Sequence, residues 1–149
     1  MIINTVINNE NKTLTISPGE YLVDTLRDNG YKSVKRGCDK STCGACSVIV
    51  DGKIVLSCTF LSARIDGKKV ETIEGLQEEA EILGRKIVDK GGDQCGYCNP
   101  ALIVTAIALK REFGKNATRD EIIHYINGNL CRCSGYISQL EAILEYVGE

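Results

Sequence analysis

Apolar residues alternate with polar ones in the first half of the chain and recur at helical spacing in the second. Leu14-Thr15-Ile16 places its apolar side chains on one face of a strand. Val48-Ile49-Val50 and Lys53-Ile54-Val55-Leu56 flank Asp51-Gly52. An Asp-Gly pair between β-branched runs predicts a hairpin, because both turn positions need positive φ. Val70-Glu71-Thr72-Ile73 predicts a further strand after the Asp66-Gly67 turn. Between the early strands and the hairpin, Tyr21 to Asn29 fits a short helix with Leu22, Val23 and Leu26 on one face. Gly30 suits its C′ position.

From about Glu78 the spacing becomes helical. Ile82, Leu83 and Ile87 share a face, and Gly91-Gly92 ends that helix. Pro100 fits the first turn of the next, and Ala101 to Phe113 is apolar nearly all round, which predicts a buried central helix. Thr118-Arg119-Asp120-Glu121 reads as a capping box opening a third helix with Ile122, Ile123 and Ile126, closed by Gly128. Ser138-Gln139-Leu140-Glu141 is expected to cap a fourth, with Leu140, Ile143, Leu144 and Val147 inward. The fold class is therefore α+β, a β-rich unit over residues 1–75 and an all-α four-helix unit over 76–149. Units of that size are marginal on an apolar core alone and gain from a covalent or metal staple.

Composition narrows the chemistry. Hydrophobic residues are 43% and charged residues 26% of the 149, the balance of a folded domain. The net charge of −2, with no Lys/Arg stripe, argues against nucleic acid. No apolar run reaches the roughly 18 residues of a membrane span, and Met1 to Thr5 lacks the pattern of a secretory signal. A cytoplasmic location is expected, where eight cysteines point to metal or redox work rather than to disulfides.

The cysteines divide four and four. Cys38, Cys43 and Cys46 have the spacing C-x4-C-x2-C, with Cys58 arriving after the predicted hairpin. This is the plant-type 2Fe–2S pattern. Gly37 and Gly44 let the loop backbone approach closely, and Lys35, Arg36 and Lys40 favour a negative centre. Four thiolates also satisfy zinc, although zinc modules usually pair two short knuckles. The second set is Cys95 and Cys98, then Cys131 and Cys133. Cys95-Gly96-Tyr97-Cys98 alone could be a thioredoxin-like redox pair, but such a pair has no need of Cys131-Arg132-Cys133. Both pairs fall at predicted helix ends, so a four-thiolate site at one pole of a bundle is the alternative.

Arg36-Gly37-Cys38, Cys43-Gly44-Ala45-Cys46-Ser47, Gln94-Cys95-Gly96-Tyr97-Cys98 and Asn129-Leu130-Cys131-Arg132-Cys133-Ser134-Gly135-Tyr136 together resemble the xanthine dehydrogenase/aldehyde oxidase family of molybdenum hydroxylases. Thr72-Ile73-Glu74-Gly75-Leu76 resembles the family's link between its two cluster domains, so the likeness covers essentially the whole chain. It implies a β-grasp, ferredoxin-like 2Fe–2S domain followed by a helical 2Fe–2S domain, in the form of a separate small subunit. It implies ligands Cys38, Cys43, Cys46 and Cys58 for one cluster, and Cys95, Cys98, Cys131 and Cys133 for the other. Gln94 matches a glutamine that contacts the pterin. The expected partners are a large subunit binding molybdopterin–molybdenum and a medium subunit binding FAD, in a heterotrimer, single or dimerised. Electrons are expected to run from molybdenum through the helical-domain cluster and the plant-type cluster to FAD.

Two departures fall beside the second set. Asn99 stands where the family has threonine and Ala101 where it has glycine, on a helix expected to face the partner's cofactor, so local repacking is expected. No nucleophile–base pair and no glycine-rich phosphate loop is present, so no catalytic residue is assigned. Two rivals remain: a free-standing two-cluster carrier, and a structural zinc-binding interaction module.

Overall fold

A computed structural model describes residues 1–149. Five strands, β1 (Ile2–Ile7), β2 (Glu10–Thr15), β3 (Ser47–Val50), β4 (Lys53–Leu56) and β5 (Lys69–Glu71), form one sheet in the order β2-β1-β5-β3-β4. All pairs are antiparallel except β1 with β5, which run parallel. The helix α1 (Leu22–Asp28) packs its Leu22, Val23 and Leu26 into the sheet's core with Ile3, Ile7 and Val70. Gly30 follows at φ 95°, and the Tyr31 amide donates to the Leu26 carbonyl at 3.0 Å, closing the helix in the Schellman manner. The Asp51-Gly52 turn forms as expected, with φ of 47° and 79°. A second hairpin, β1–β2, turns on Asn8-Asn9 at φ of 52° and 66°. Asparagine tolerates that region through its short polar side chain.

Four helices follow: α2 (Gln77–Asp89), α3 (Asn99–Phe113), α4 (Arg119–Ile126) and α5 (Ile137–Gly148). Every residue of α3 from Ala101 to Leu109 is buried, so it is the central helix. The Thr118/Glu121 capping box is present with both of its reciprocal bonds. No helix is long and apolar enough to cross a membrane.

Several expectations need correction. Ile82 is 46% exposed and Ile123 37%, so α2 packs through Leu83 and Ile87, and α4 through Ile122. The last predicted strand ends at Glu71, and Ile73 to Gly75 make a 3₁₀ turn. Asn127, not Gly128, ends α4. Ser138 caps nothing: α5 begins at Ile137 after Tyr136, whose φ is 71°. Ala101 is 4% exposed and faces the chain's own core rather than a partner.

Two hydrophobic clusters result, one under the sheet and one among the helices. Strand β3 belongs to both. Val48 and Val50 join the sheet cluster, while the alternate residue Ile49 joins the helical one. Burial on both faces explains its unbroken β-branched run.

The link between the units is tied down by polar contacts. Asn8 Oδ1 accepts from the Thr72 amide at 2.8 Å, and Asn8 Nδ2 donates to Thr72 Oγ1 at 2.9 Å. The Glu74 carboxylate accepts from the Ser33 amide and hydroxyl. Burial raises the Glu74 pKa, but the hydrogen bonds from Ser33 and Thr72 outweigh it and hold the carboxyl below its ordinary value.

A Cβ at Gly75 would lie 2.4 Å from Asn8 Oδ1, an atom already committed to Thr72. Gly75→Ala should therefore cost about 1–3 kcal/mol. At roughly 2–4 °C per kcal/mol for a chain of this size, that is a visible fall in thermal midpoint. Gly19→Ala, where the added carbon meets nothing within 4 Å, should leave the midpoint unchanged.

Candidate metal centres

All eight cysteines are unbridged. The first set occupies an irregular loop between α1 and β3, with Cys58 in the turn after β4, as the spacing predicts. Ser57, fully buried, donates its hydroxyl to the Cys46 carbonyl at 2.7 Å and so fastens the Cys58 turn to the Cys46 end of the loop. Cys38 Sγ accepts from the Thr42 amide at 3.4 Å. Amides of Cys43, Thr42 and Lys40 lower the Cys38 thiol to about 6, whereas burial raises Cys46 to about 11.

The second set lies at two helix N-termini. Cys98 is the residue preceding α3, and Cys131 and Cys133 lie in the loop that leads into α5. Both helix dipoles present their positive ends there, which favours negative charge. Cys131 Sγ accepts from the Cys133 and Ser134 amides at 3.4 and 3.3 Å. Burial raises the Cys131 thiol, but these bonds with Ser134 and Cys133 outweigh it and bring it to about 7. Burial raises Cys98, while Cys133 is raised by its neighbour Cys95.

Each half thus carries four unbridged cysteines, the all-thiolate donor set that a 2Fe–2S cluster takes.

The two sets are also neighbours. A cavity of about 530 Å³ is lined by Cys95, Cys98, Cys131 and Cys133 together with Gly37 and Cys43 of the other loop. The Leu130 amide donates to the Cys43 carbonyl at 2.9 Å. Lys35 Nζ reaches the Tyr97 carbonyl at 3.3 Å and sits 4.8 Å from its ring centre, while the Tyr97 hydroxyl donates to the Arg36 carbonyl at 3.2 Å. Gly44, at φ 72°, serves this contact: a Cβ there would lie 2.3 Å from the Gly128 carbonyl oxygen. Of the cations near the first loop, Arg36 has a partner of its own, pairing with Asp24 at 2.7 Å.

Gln94 is exposed beside Cys95, with no hydrogen bond from its side chain to the rest of the chain. Cys95 and Cys133 are exposed as well, so the outer edge of the second set is open to a partner. Tyr97, Leu130 and Tyr136, all exposed, line the same cavity as these cysteines. Asn99 turns inward, donating to Asp93 Oδ1 at 2.7 Å. Gln139, read in the sequence as part of a helix cap, is instead buried against Cys98. The periodicity of α5 was the available signal: Gln139 shares a face with Ala142, Ile143, Tyr146 and Val147.

Residues 5–73 match the model of a 2Fe-2S iron-sulfur cluster binding domain, and residues 72–144 match that of a 2Fe-2S binding domain. The chain is 39% identical to the nicotinate dehydrogenase small FeS subunit of Eubacterium barkeri, over 99% of its own length and 94% of that protein's. It is also 39% identical to the xanthine dehydrogenase iron-sulfur-binding subunit of Escherichia coli O157:H7, over 86% and 82%. Among solved structures, quinoline 2-oxidoreductase from Pseudomonas putida 86 matches with a TM-score of 0.90 and 32% identity, over 99% of this chain and 93% of that one. The aldehyde oxidoreductase of Desulfovibrio desulfuricans ATCC 27774 matches with a TM-score of 0.90 and 34% identity, over 98% of this chain but 17% of that one.

Gly44→Ala should force the two cysteine loops apart. Left-handed backbone strain and the overlap with Gly128 together cost on the order of 2–4 kcal/mol. Hydrogen–deuterium exchange should report faster exchange at the Leu130 amide. Gly128→Ala, whose Cβ meets open space, should leave that exchange as it is.

Proposed function

The chain belongs to the family of small iron–sulfur subunits of xanthine dehydrogenase, nicotinate dehydrogenase and aldehyde oxidoreductase, and from that membership we propose that it carries electrons between the partner subunits of a molybdenum hydroxylase. The observation that carries this reading is eight unbridged cysteines, four in each half of the chain, with the Cys43 and Cys131 loops hydrogen-bonded to each other. Cys38, Cys43, Cys46 and Cys58 hold one 2Fe–2S cluster in the unit of residues 1–75. Cys95, Cys98, Cys131 and Cys133 hold the second in residues 76–149. Bound there, each cluster supplies one-electron redox chemistry.

The chain's own residues do the rest. Amides aimed at Cys38 and Cys131 favour the thiolate form that iron requires. The contact between Cys43 and Leu130 fixes the separation of the two sites. Burial of Cys46 shields one ligand of the first site from water. In this reading Gln94, exposed beside Cys95, contacts a molybdopterin on a large subunit. The first set is turned toward an FAD-binding medium subunit, completing a heterotrimer in the cytoplasm, where unbridged thiols persist.

A free-standing carrier fits less well. Tyr97, Leu130 and Tyr136 leave an apolar patch beside the second set, as expected of a surface covered by another subunit. The zinc alternative is disfavoured because both matched family models are of 2Fe-2S binding domains.

Iron and acid-labile sulfide should each be found at about four per chain, with two distinct EPR signals on reduction. Cys98→Ser should abolish one signal and leave about half of the iron. A colourless protein holding zinc alone would overturn the assignment, as would the loss of both signals together in a variant that keeps its fold.

A further inference from the structure

Gln139 sits in the first turn of α5 at 3% exposure. Its amide nitrogen lies 3.6 Å from Cys98 Sγ and 3.4 Å from Asn99 Oδ1, and its amide oxygen lies 3.0 Å from the Ser134 hydroxyl. The neighbours dictate which end of the amide faces the sulfur. The Asp93 carboxylate can only accept, so Asn99 must give it Nδ2, at 2.7 Å. That leaves Asn99 Oδ1 facing Gln139 and calling for an N–H. At the other end, Ser134 Oγ accepts from the Tyr136 amide at 3.1 Å, so its own proton is free for Gln139 Oε1. Turning the amide over would set oxygen against oxygen at Asn99 and remove the donor from Cys98. The chain Asp93–Asn99–Gln139–Ser134 therefore aims an N–H at one ligand sulfur and holds it there.

Cys38 and Cys131 take their N–H donors from backbone amides. Cys98 takes one from a side chain that spans from α5 to α3. We propose that Gln139 is a positioning residue for electron transfer, acting through Cys98 to raise the reduction potential of the cluster in the helical unit above that of the same site without the amide. The physical reason is electrostatic. Reduction adds one electron to the cluster and spreads negative charge onto its sulfurs, and a buried N–H donor stabilises that added charge. This inference rests on the assignment of Cys95, Cys98, Cys131 and Cys133 to a 2Fe–2S cluster.

The test is a potentiometric titration of the full chain, purified with iron and sulfide bound and followed by EPR. Gln139→Leu keeps the bulk and removes the donor. One signal should shift to lower potential by the equivalent of about a tenfold change in its reduction equilibrium, ~59 mV for a one-electron couple, while the other stays in place. Gln139→Met, which keeps the length of the side chain and removes the N–H, should shift the same signal the same way. If Gln139→Leu does not retain the cluster, Gln139→Met decides. Unchanged potentials at full iron and sulfide content would overturn the role of Gln139, as would equal shifts of both signals, which mark general loosening. Failure of the cluster assignment itself reads differently: the unsubstituted chain would then lack iron and sulfide.

Discussion

The hydrogen bond from the Leu130 amide to the Cys43 carbonyl, with Gly44 pressed on the Gly128 carbonyl, is the constraint on which the molecule's organisation depends. Each cysteine loop lacks regular structure, which leaves backbone N–H groups free to point at sulfur. A loop of that kind cannot fix a distance to a distant partner by itself. Joined to a second loop through its backbone, it can. Lys35 and Tyr97 add a side-chain contact across the same seam, so the two thiol sets are held as neighbours by several independent bonds.

The cores explain how such loops are held. The sheet cluster and the helical cluster are each small, and β3 gives alternate residues to both. A single rigid strand therefore sits under the junction, with Cys46 immediately before it and Cys58 soon after its hairpin partner. The central helix α3 plays the same part for the second set, since its buried body fixes Cys98 at its start. Asn8, Thr72 and Glu74 then lock the connection, so that the two cores keep one relative placement.

Much of this was legible in the sequence, because the signals concerned are local. The Asp51-Gly52 hairpin, the Thr118 capping box and the all-apolar α3 each depend on a few adjacent residues, and each formed as read. The gathering of Cys38, Cys43 and Cys46 on one loop was legible for the same reason, since they are close in sequence. What depended on contacts between distant segments was not. Ile82 and Ile123 fit a helical stripe, yet packing chose Leu83, Ile87 and Ile122. Gly44 looked like a glycine for approach to sulfur, but its missing Cβ makes room for Gly128, far along the chain. The burial of Gln139 against Cys98 cannot be read from spacing either.

The central claim is that each set of four thiols surrounds a pair of irons rather than one metal ion. Iron K-edge X-ray absorption on the purified chain addresses this directly, because it reports the atoms around each metal. The account predicts an all-sulfur first shell with a second iron just beyond it for every iron in the sample. An isolated metal in a sulfur shell, with no metal neighbour, would contradict it.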